Sequence, residues 1–453
     1  MTSQLILGNG RGLALASDSA ATSRTGQERR TWEDATKIYP LRQPHRVAVL
    51  QAGGVNLLGM PVSVLVNQWQ ETLGEGRMPL EGYRDSFLSW LGHNLGKWTT
   101  QDAMDDKAYD ALKNELKRLR RGNLYVLREG VEEGLTGGVE KLLTTVPDEE
   151  HHDATLRAIQ ERSEYYLAFA PVFDPALPPM ADGLFSRLGS RSQEDSWTPD
   201  SLIASGFEGL PRSEQIDRAL HELFRLMVGR NYSITGLSTI ELTFAGYGSS
   251  ELIPSVASVE IEGALENHIA RSCESERKAV ALLDAAGFAL YKPVAQYETI
   301  EMIIFGHNRE LLQAAIGDVV GPSPVLSSDR AKVEGDPEVD AEDAPDPDLV
   351  EETTERDAMD EWTKAQRLGK EVVERADTLS DTHHYWKFMR TIAGLEMTSL
   401  ADTTRSLVAV EALSKTLLGE LPTVGGHIDV ATITLTDGFT WVKSDLVEIT
   451  ATR

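Results

Sequence analysis

Apolar and polar positions alternate most clearly at the start of the chain. Gln4–Leu7 and Leu13–Ser17 are short runs of strand length, separated by Asn9-Gly10. An Asn-Gly pair between two such runs is a strong hairpin signal, because a type I′ turn needs positive φ at both central residues. The pattern therefore predicts two neighbouring antiparallel strands with Thr2 and Asp18 at the same end. Arg46–Ala52 reads as a further buried strand ending at Gly53-Gly54. Val62, Leu65, Val66, Trp69 and Leu73 then fall on one face of a helix, with Pro61 suited to its first turn.

From about Gly74 to Arg230 the periodicity is helical. Leu112, Leu116 and Leu119 share one side of Tyr109–Arg121, a helix rich in Lys and Arg. Ile216, Leu220, Leu223, Phe224 and Met227 mark a second amphipathic helix. Phe169–Pro179 and Ser192–Pro199 read as loops. Strand patterns return at Thr239–Tyr247, Ser255–Ile261 and Glu301–Phe305, followed by a helix over Arg309–Ile316. Residues 321–357 are acidic and proline-containing, too poor in apolar side chains to offset the entropy of ordering, and are expected to be a disordered loop. Helices are expected over Ala358–Ala376 and Ser399–Leu418, the latter with Ser399 and Asp402 as a cap. Two strands joined by Asp437-Gly438 follow. The expected organisation is a core of 2–73, 236–320 and 358–453, interrupted by a helical insertion at 74–235 and the acidic loop.

Charge narrows the function classes. Forty-four Lys and Arg against seventy-one Asp and Glu leave a formal net charge of −27 across 453 residues. That disfavours nucleic-acid and anionic-membrane partners, which need a basic surface. Cys273 is the one cysteine, so an intramolecular disulfide and a cysteine-rich zinc site are excluded. No basic n-region with a long apolar stretch opens the chain, and no apolar run has the ~18 residues of a membrane span. A cytoplasmic location is expected, with no metal and no cofactor. Gly8-x-Gly10-x-Gly12 leads into a strand and not a helix, so it is no dinucleotide fingerprint. Gly248-Ser249-Ser250 lacks the closing glycine of a nucleophile elbow. His151-His152 and His383-His384 lack the i, i+4 spacing that puts two metal ligands on one helix face.

The chemistry sits at the terminus. Removal of Met1 would expose Thr2 with a free α-amine, whose ordinary pKa of roughly 7.7–8.0 lets it act as a base near neutral pH. A hydroxyl beside its own amine is a self-contained nucleophile and base.

Thr2, then Gly12-Leu13-Ala14-Leu15-Ala16-Ser17-Asp18-Ser19-Ala20-Ala21-Thr22, Thr36-Lys37-Ile38 and Gln51-Ala52-Gly53-Gly54 resemble the start of a proteasome β-subunit or of the bacterial HslV peptidase. Both are N-terminal-nucleophile (Ntn) hydrolases. The Thr2–Asp18 spacing matches without a gap, Ser17 replaces a small residue, and the segment from Asp18 to Lys37 is a few residues longer than usual. The resemblance implies an α+β fold, a four-layer αββα sandwich. It implies a threonine peptidase or amidohydrolase acting on a peptide or protein, assembled as a homo-oligomeric ring or dimer and fed by an ATPase. In that frame Thr2 attacks the carbonyl, and Lys37 lowers the hydroxyl and amine pKa by like-charge repulsion while stabilising negative charge. Asp18 holds Lys37, the Gly53 N–H receives the oxyanion, and Ala21 and Thr22 pair with an extended substrate. Two departures stand out: Phe305-Gly306-His307-Asn308 replaces the family's Gly-Ser-Gly junction, and Glu420, Thr423 and Val424 replace the Asp and Ser before Gly425-Gly426. Two rival readings use the same fold, a non-catalytic scaffold and a small-molecule amidase.

Overall fold

The computed structural model describes residues 2–25, 28–32, 35–122, 124–128, 131–135, 137–168, 181–190, 198–229, 240–265, 268–272, 280–284, 287–306, 363–365, 367–376, 378–417 and 425–442. The expected loops at 169–179 and 192–197, the Arg309–Ile316 helix, the acidic 321–357, Cys273, His307, Asn308, Glu420, Thr423 and Val424 lie outside these. Among the described residues no helix is long and apolar enough to cross a membrane.

The chain opens with the expected hairpin, β1 (Ser3–Asn9) and β2 (Gly12–Asp18), Gln4 opposite Ser17 and Asn9 opposite Gly12. The turn differs from the I′ expectation. Its central residues are Gly10 and Arg11, and none of Asn9, Gly10 and Arg11 has positive φ. The Asn9 side chain builds it: Oδ1 accepts the Arg11 N–H at 2.9 Å while Nδ2 donates to the carbonyls of Ile392 and Leu395. A side-chain turn of this kind removes the need for left-handed backbone.

A second hairpin, β3 (Ala21–Thr25) and β4 (Glu28–Trp32), fills the long segment after Asp18. Its base is closed by the Ala35 N–H on the Ser19 carbonyl at 3.0 Å. Then come β5 (Ile38–Pro40), β6 (Arg46–Gly53), the short pair β7 (Asn56–Leu57) and β8 (Met60–Pro61), and α1 (Val62–Gln70), which buries Val62, Leu65, Val66 and Trp69 as its spacing requires. The helical stretch contains α2 (Leu80–Asn94), α3 (Gln101–Arg121), a hairpin of β9 (Leu124–Arg128) and β10 (Val131–Leu135), and α4 (Gly138–Leu143). It continues with α5 (His151–Ala168), α6 (Ala181–Ser190), α7 (Pro199–Gly206) and α8 (Glu214–Gly229).

Strands resume with β11 (Ile240–Tyr247), β12 (Ser255–Leu265), β13 (His268–Ser272), β14 (Val280–Asp284) and β15 (Gly287–Ala295). Glu301–Phe305, expected as a strand, belongs instead to helix α9 (Glu298–Phe305). Ile300 and Ile304, four apart, are its buried pair, a helical spacing that a five-residue window concealed. The strand the pattern missed is β15. Pro293 argues against a central strand, yet among the described residues β14 pairs with β15 only up to Tyr291, so the described ladder does not call on the N–H that Pro293 lacks. Residues 367–376 are helical, and α10 (Trp386–Gly394), α11 (Met397–Leu417), β16 (Ile428–Thr434) and β17 (Gly438–Trp441) follow. Because α11 starts at Met397, Ser399 lies inside its first turn and does not cap it.

The fold is α+β with antiparallel sheets. One sheet has the order β14-β15-β1-β2-β16-β17 and the other β13-β12-β11-β6-β5. Ile6, Leu13, Leu15, Leu290 and Ile433 of the first share a core with Ala48, Leu50, Ala245 and Tyr247 of the second. The opposite face of the first sheet, through Leu5, Leu7, Ala14 and Ala16, packs against α9, α10 and α11. The opposite face of the second, through Val47, Val49, Leu242 and Phe244, packs against α1, α2 and α3, whose apolar side chains continue into the cluster that α4 to α8 share. Period-two alternation in each strand thus supplies one side chain to the inter-sheet layer and the next to a helical layer.

Candidate active site

The first strand is central in its sheet, and its start is pinned on both sides. The Gln296 N–H donates to the Thr2 carbonyl at 2.8 Å, and the Ser3 N–H donates to Asp18 Oδ1 at 3.0 Å. Thr2 is buried, 6 % exposed. Asp18 ends β2, so the hairpin register alone delivers its carboxylate to the chain terminus.

Lys37 returns to the same point after the β3–β4 excursion. Its Nζ donates to Asp18 Oδ1 at 2.8 Å and to the Ala20 carbonyl at 2.6 Å. Its carbonyl accepts the Gln51 N–H at 2.9 Å, which fixes it beside β6. The pair is buried on both sides, the side chains 5 % and 0 % exposed, unlike a solvated surface ion pair. Burial pushes the Lys37 ammonium below its usual value, against the opposing pull of Asp18. Burial likewise pushes the Asp18 carboxyl up, against Lys37 and the N–H groups of Ser3 and Gly425. Those N–H groups matter because a buried carboxylate needs its acceptors filled; the Gly425 N–H donates to the second oxygen, Oδ2, at 3.2 Å.

Gly53 closes β6 with φ +76°, in the region where a side chain is strained. A buried polar chain holds this end of β6. Gln4 Nε2 donates to Ser17 Oγ at 3.0 Å and to the Gln51 carbonyl at 2.8 Å. The Tyr39 hydroxyl donates to Gln51 Oε1 at 2.8 Å, and Gln51 Nε2 donates to the Gly54 carbonyl at 2.7 Å. Gln51 therefore ties the first sheet, Tyr39 and the Gly53-Gly54 turn into one rigid unit. Ala21 and Thr22 open β3, where they face Trp32 and Thr31 of β4; β4 takes one edge of that strand.

The structure brings Thr2, Asp18 and Lys37 together and sets Gly53 at the end of the strand beside Lys37. It moves the junction that matters. The strand-to-helix corner beside Thr2 is Ala295-Gln296-Tyr297, between β15 and α9, not Phe305-Gly306-His307-Asn308. Ala295 there has φ +63°, an uncommon conformation for a residue with a side chain. Sequence reading also missed Gln4, Gln51 and Ser17. For Gln4 and Ser17 a signal was available: each is polar at a strand position whose neighbour two residues away, Ile6 or Leu15, points into the inter-sheet layer.

Chemically, the arrangement offers a buried threonine whose next residue, Ser3, shares Asp18 Oδ1 with a buried cation, with a glycine turn at the end of the strand beside that cation. No family model, no curated protein and no solved structure matches the chain.

Proposed function

We propose that the chain is a proteasome-like N-terminal threonine hydrolase of the αββα Ntn class, cleaving peptide (amide) bonds once Met1 is removed. The observation that carries this reading is the contact of Asp18 Oδ1 with both the Ser3 N–H and Lys37 Nζ, at 3.0 and 2.8 Å. A buried ammonium is thereby held beside the one threonine that trimming would turn into an amino terminus. Two antiparallel sheets sharing a core, with helices on both outer faces, support the fold assignment.

In the reaction, Thr2 Oγ bonds to the acyl carbon as its proton passes to the α-amine. Lys37 offsets the negative charge that develops and the Gly53 N–H receives the oxyanion. Loss of one such donor costs about 2.7–4 kcal/mol in comparable sites. The C–N bond then breaks, the ammonium returns its proton to the leaving amine, and water releases the acyl group from Thr2. Association into a homo-oligomer in the cytoplasm is part of the reading. Met302 and Ile303 of α9, with Val410, Leu413 and Leu417 of α11, leave an exposed apolar face that supports it.

Intact mass measured with and without a β-lactone or epoxyketone probe tests the proposal. The expected result is a chain beginning at Thr2 that gains one probe mass, and no gain for Thr2→Ala. Retained Met1, or undiminished labelling of Thr2→Ala, refutes it.

A further inference from the structure

We propose that Gln51 is a positioning residue that aims the Gly53 N–H at the developing oxyanion, with Gln4 supporting it from the first strand; the inference rests on the terminal-threonine reading. Backbone groups of successive strand residues point to alternate edges. The Gln51 N–H points to the β5 edge of β6, where it donates to the Lys37 carbonyl at 2.9 Å. The Gln51 carbonyl, on the same edge, accepts Gln4 Nε2 at 2.8 Å. Two residues on, the Gly53 N–H points to that edge again, one step past Lys37. Gly53 is exposed there, whereas Gln51, Ala52 and Gly54 are buried.

A donor in this place needs a clamp. Two consecutive glycines, Gly53 and Gly54, are the most freely rotating pair a chain can hold, and Gly53 sits at φ +76°. The Gln51 side chain supplies the clamp. Its Nε2 reaches past Gly53 and donates to the Gly54 carbonyl at 2.7 Å, while its Oε1 accepts the Tyr39 hydroxyl at 2.8 Å. Gln4 thus holds the Gln51 carbonyl and Gln51 holds the Gly54 carbonyl. The peptide that carries the Gly53 N–H lies between these two fixed points. Packing alone does not call for this residue. Gln51 is 4 % exposed, and an apolar side chain would avoid the desolvation of a buried amide. What a methionine cannot supply is the grip on the turn. Gln4 is itself anchored, its Nε2 donating to Ser17 Oγ at 3.0 Å, so the grip begins in the strand that follows Thr2.

Two probes that share the nucleophile but differ in where negative charge develops test the inference. A β-lactone places it on a carbonyl oxygen as Thr2 Oγ attacks. A vinyl sulfone takes Oγ at its alkene carbon; the charge develops on the neighbouring carbon, which receives the proton from the α-amine. Gln51→Met keeps the volume and loses both side-chain hydrogen bonds. It should slow β-lactone labelling at Thr2 by about 10²-fold, as loss of one oxyanion donor does, and slow vinyl-sulfone labelling far less. Gln4→Met, which loosens the clamp from the other side, should shift the ratio of the two rates in the same direction and guards against a folding defect in the first variant. Each rate constant is read from the chains that label, so partial misfolding does not alter the ratio. Equal slowing with both probes, or a wild-type β-lactone rate in Gln51→Met, overturns the positioning role alone. A wild-type chain that labels with neither probe at Thr2 overturns it together with the function it serves.

Discussion

Two buried ion pairs, one in the helical layer and one at the sheet end, resolve the same physical conflict in opposite ways. Glu115 of α3 meets Arg162 of α5 at 2.5 Å. The guanidinium also lies 4.7 Å from the ring centroids of Tyr165 and Tyr166 and donates to the Tyr166 hydroxyl. Burial pulls Arg162 down, but the hydrogen bond and charge of Glu115 outweigh it, so its pKa ends above the ordinary value. At the sheet end burial wins: Lys37 ends below its ordinary value and Asp18 above. The linkage signs follow. A raised Asp18 lowers stability as pH rises from 3.8 through its folded value. A lowered Lys37 lowers stability as pH falls from 10.5 through its own. Between those windows both charges are carried at a cost, whereas the raised Arg162 contributes stability throughout. A pair that stabilises can be explained by packing. One that costs stability, set beside a chain terminus, calls for a functional explanation.

Breaking each pair gives the largest effects and separates the two roles. Arg162→Met and Lys37→Met should each cost about 3–5 kcal/mol in urea unfolding, since each takes the nearest cation from a buried carboxylate. Labelling at Thr2 should survive the first and vanish in the second. Adding Glu115→Leu to Arg162→Met should return stability to within about 1–4 kcal/mol of the wild type or above it, because an apolar pair of similar volume replaces a buried ion pair well. Loss of labelling in folded Arg162→Met, or its survival in Lys37→Met, would erase the distinction.

The same conflict explains what the sequence made legible. Asp18 and Lys37 could be picked out because hairpin register and family spacing are local properties, written in Asn9-Gly10 and in the run from Gly12 to Thr22. The helices that bury Val62 to Trp69 and Ile216 to Met227 were readable for the same reason. The contacts at 2.8 Å between Gln4, Gln51 and Tyr39 were not, because they join strands that only tertiary packing brings together. β15 was hidden by Pro293 and by a run buried on both faces from Phe288 to Val294, which erases alternation. That miss displaced the junction beside Thr2 onto His307, nine residues beyond the true start of α9 at Glu298.

Alkaline pH sharpens the contrast at an intermediate size. Burial pushes Tyr39 up to about 12 and Tyr247 likewise to about 12, from 10.0. A phenol raised on folding contributes stability that is complete below pH 10 and lost as pH rises toward 12, because the unfolded chain ionises first. For Tyr39, which is 9 % exposed, the shift corresponds to about 2–3 kcal/mol. Unfolding measured from pH 9 to 12 should therefore show a steep decline that Tyr39→Phe flattens. Since the Tyr39 hydroxyl holds Gln51, that variant should also slow labelling at neutral pH, while Tyr247→Phe should alter the alkaline slope alone. Equal slopes in Tyr39→Phe and wild type would place no titrating burden on this tyrosine.

The smallest effect is expected at the helix next to Thr2. Glu411 of α11 accepts the N–H groups of Thr299 and Ile300 at 2.8 and 3.1 Å, in the first turn of α9. Burial, with the neighbouring Glu298 adding to it, pushes Glu411 up, and Lys415 approaches Glu298 at 3.5 Å. Glu411 thus sets the angle at which α9 leaves the Ala295-Gln296-Tyr297 corner, and Gln296 holds the Thr2 carbonyl. Glu411→Gln keeps an acceptor for both N–H groups but removes the charge from a helix N-terminus, an interaction of about 0.3–1 kcal/mol. If the corner transmits that energy fully, labelling should slow by about two- to fivefold. The raised carboxyl makes wild-type stability fall as pH rises from 4.5 through its folded value, and Glu411→Gln should lack that slope. A flattened pH profile with an unchanged labelling rate would confine Glu411 to the helical layer and leave the corner fixed by β15 alone.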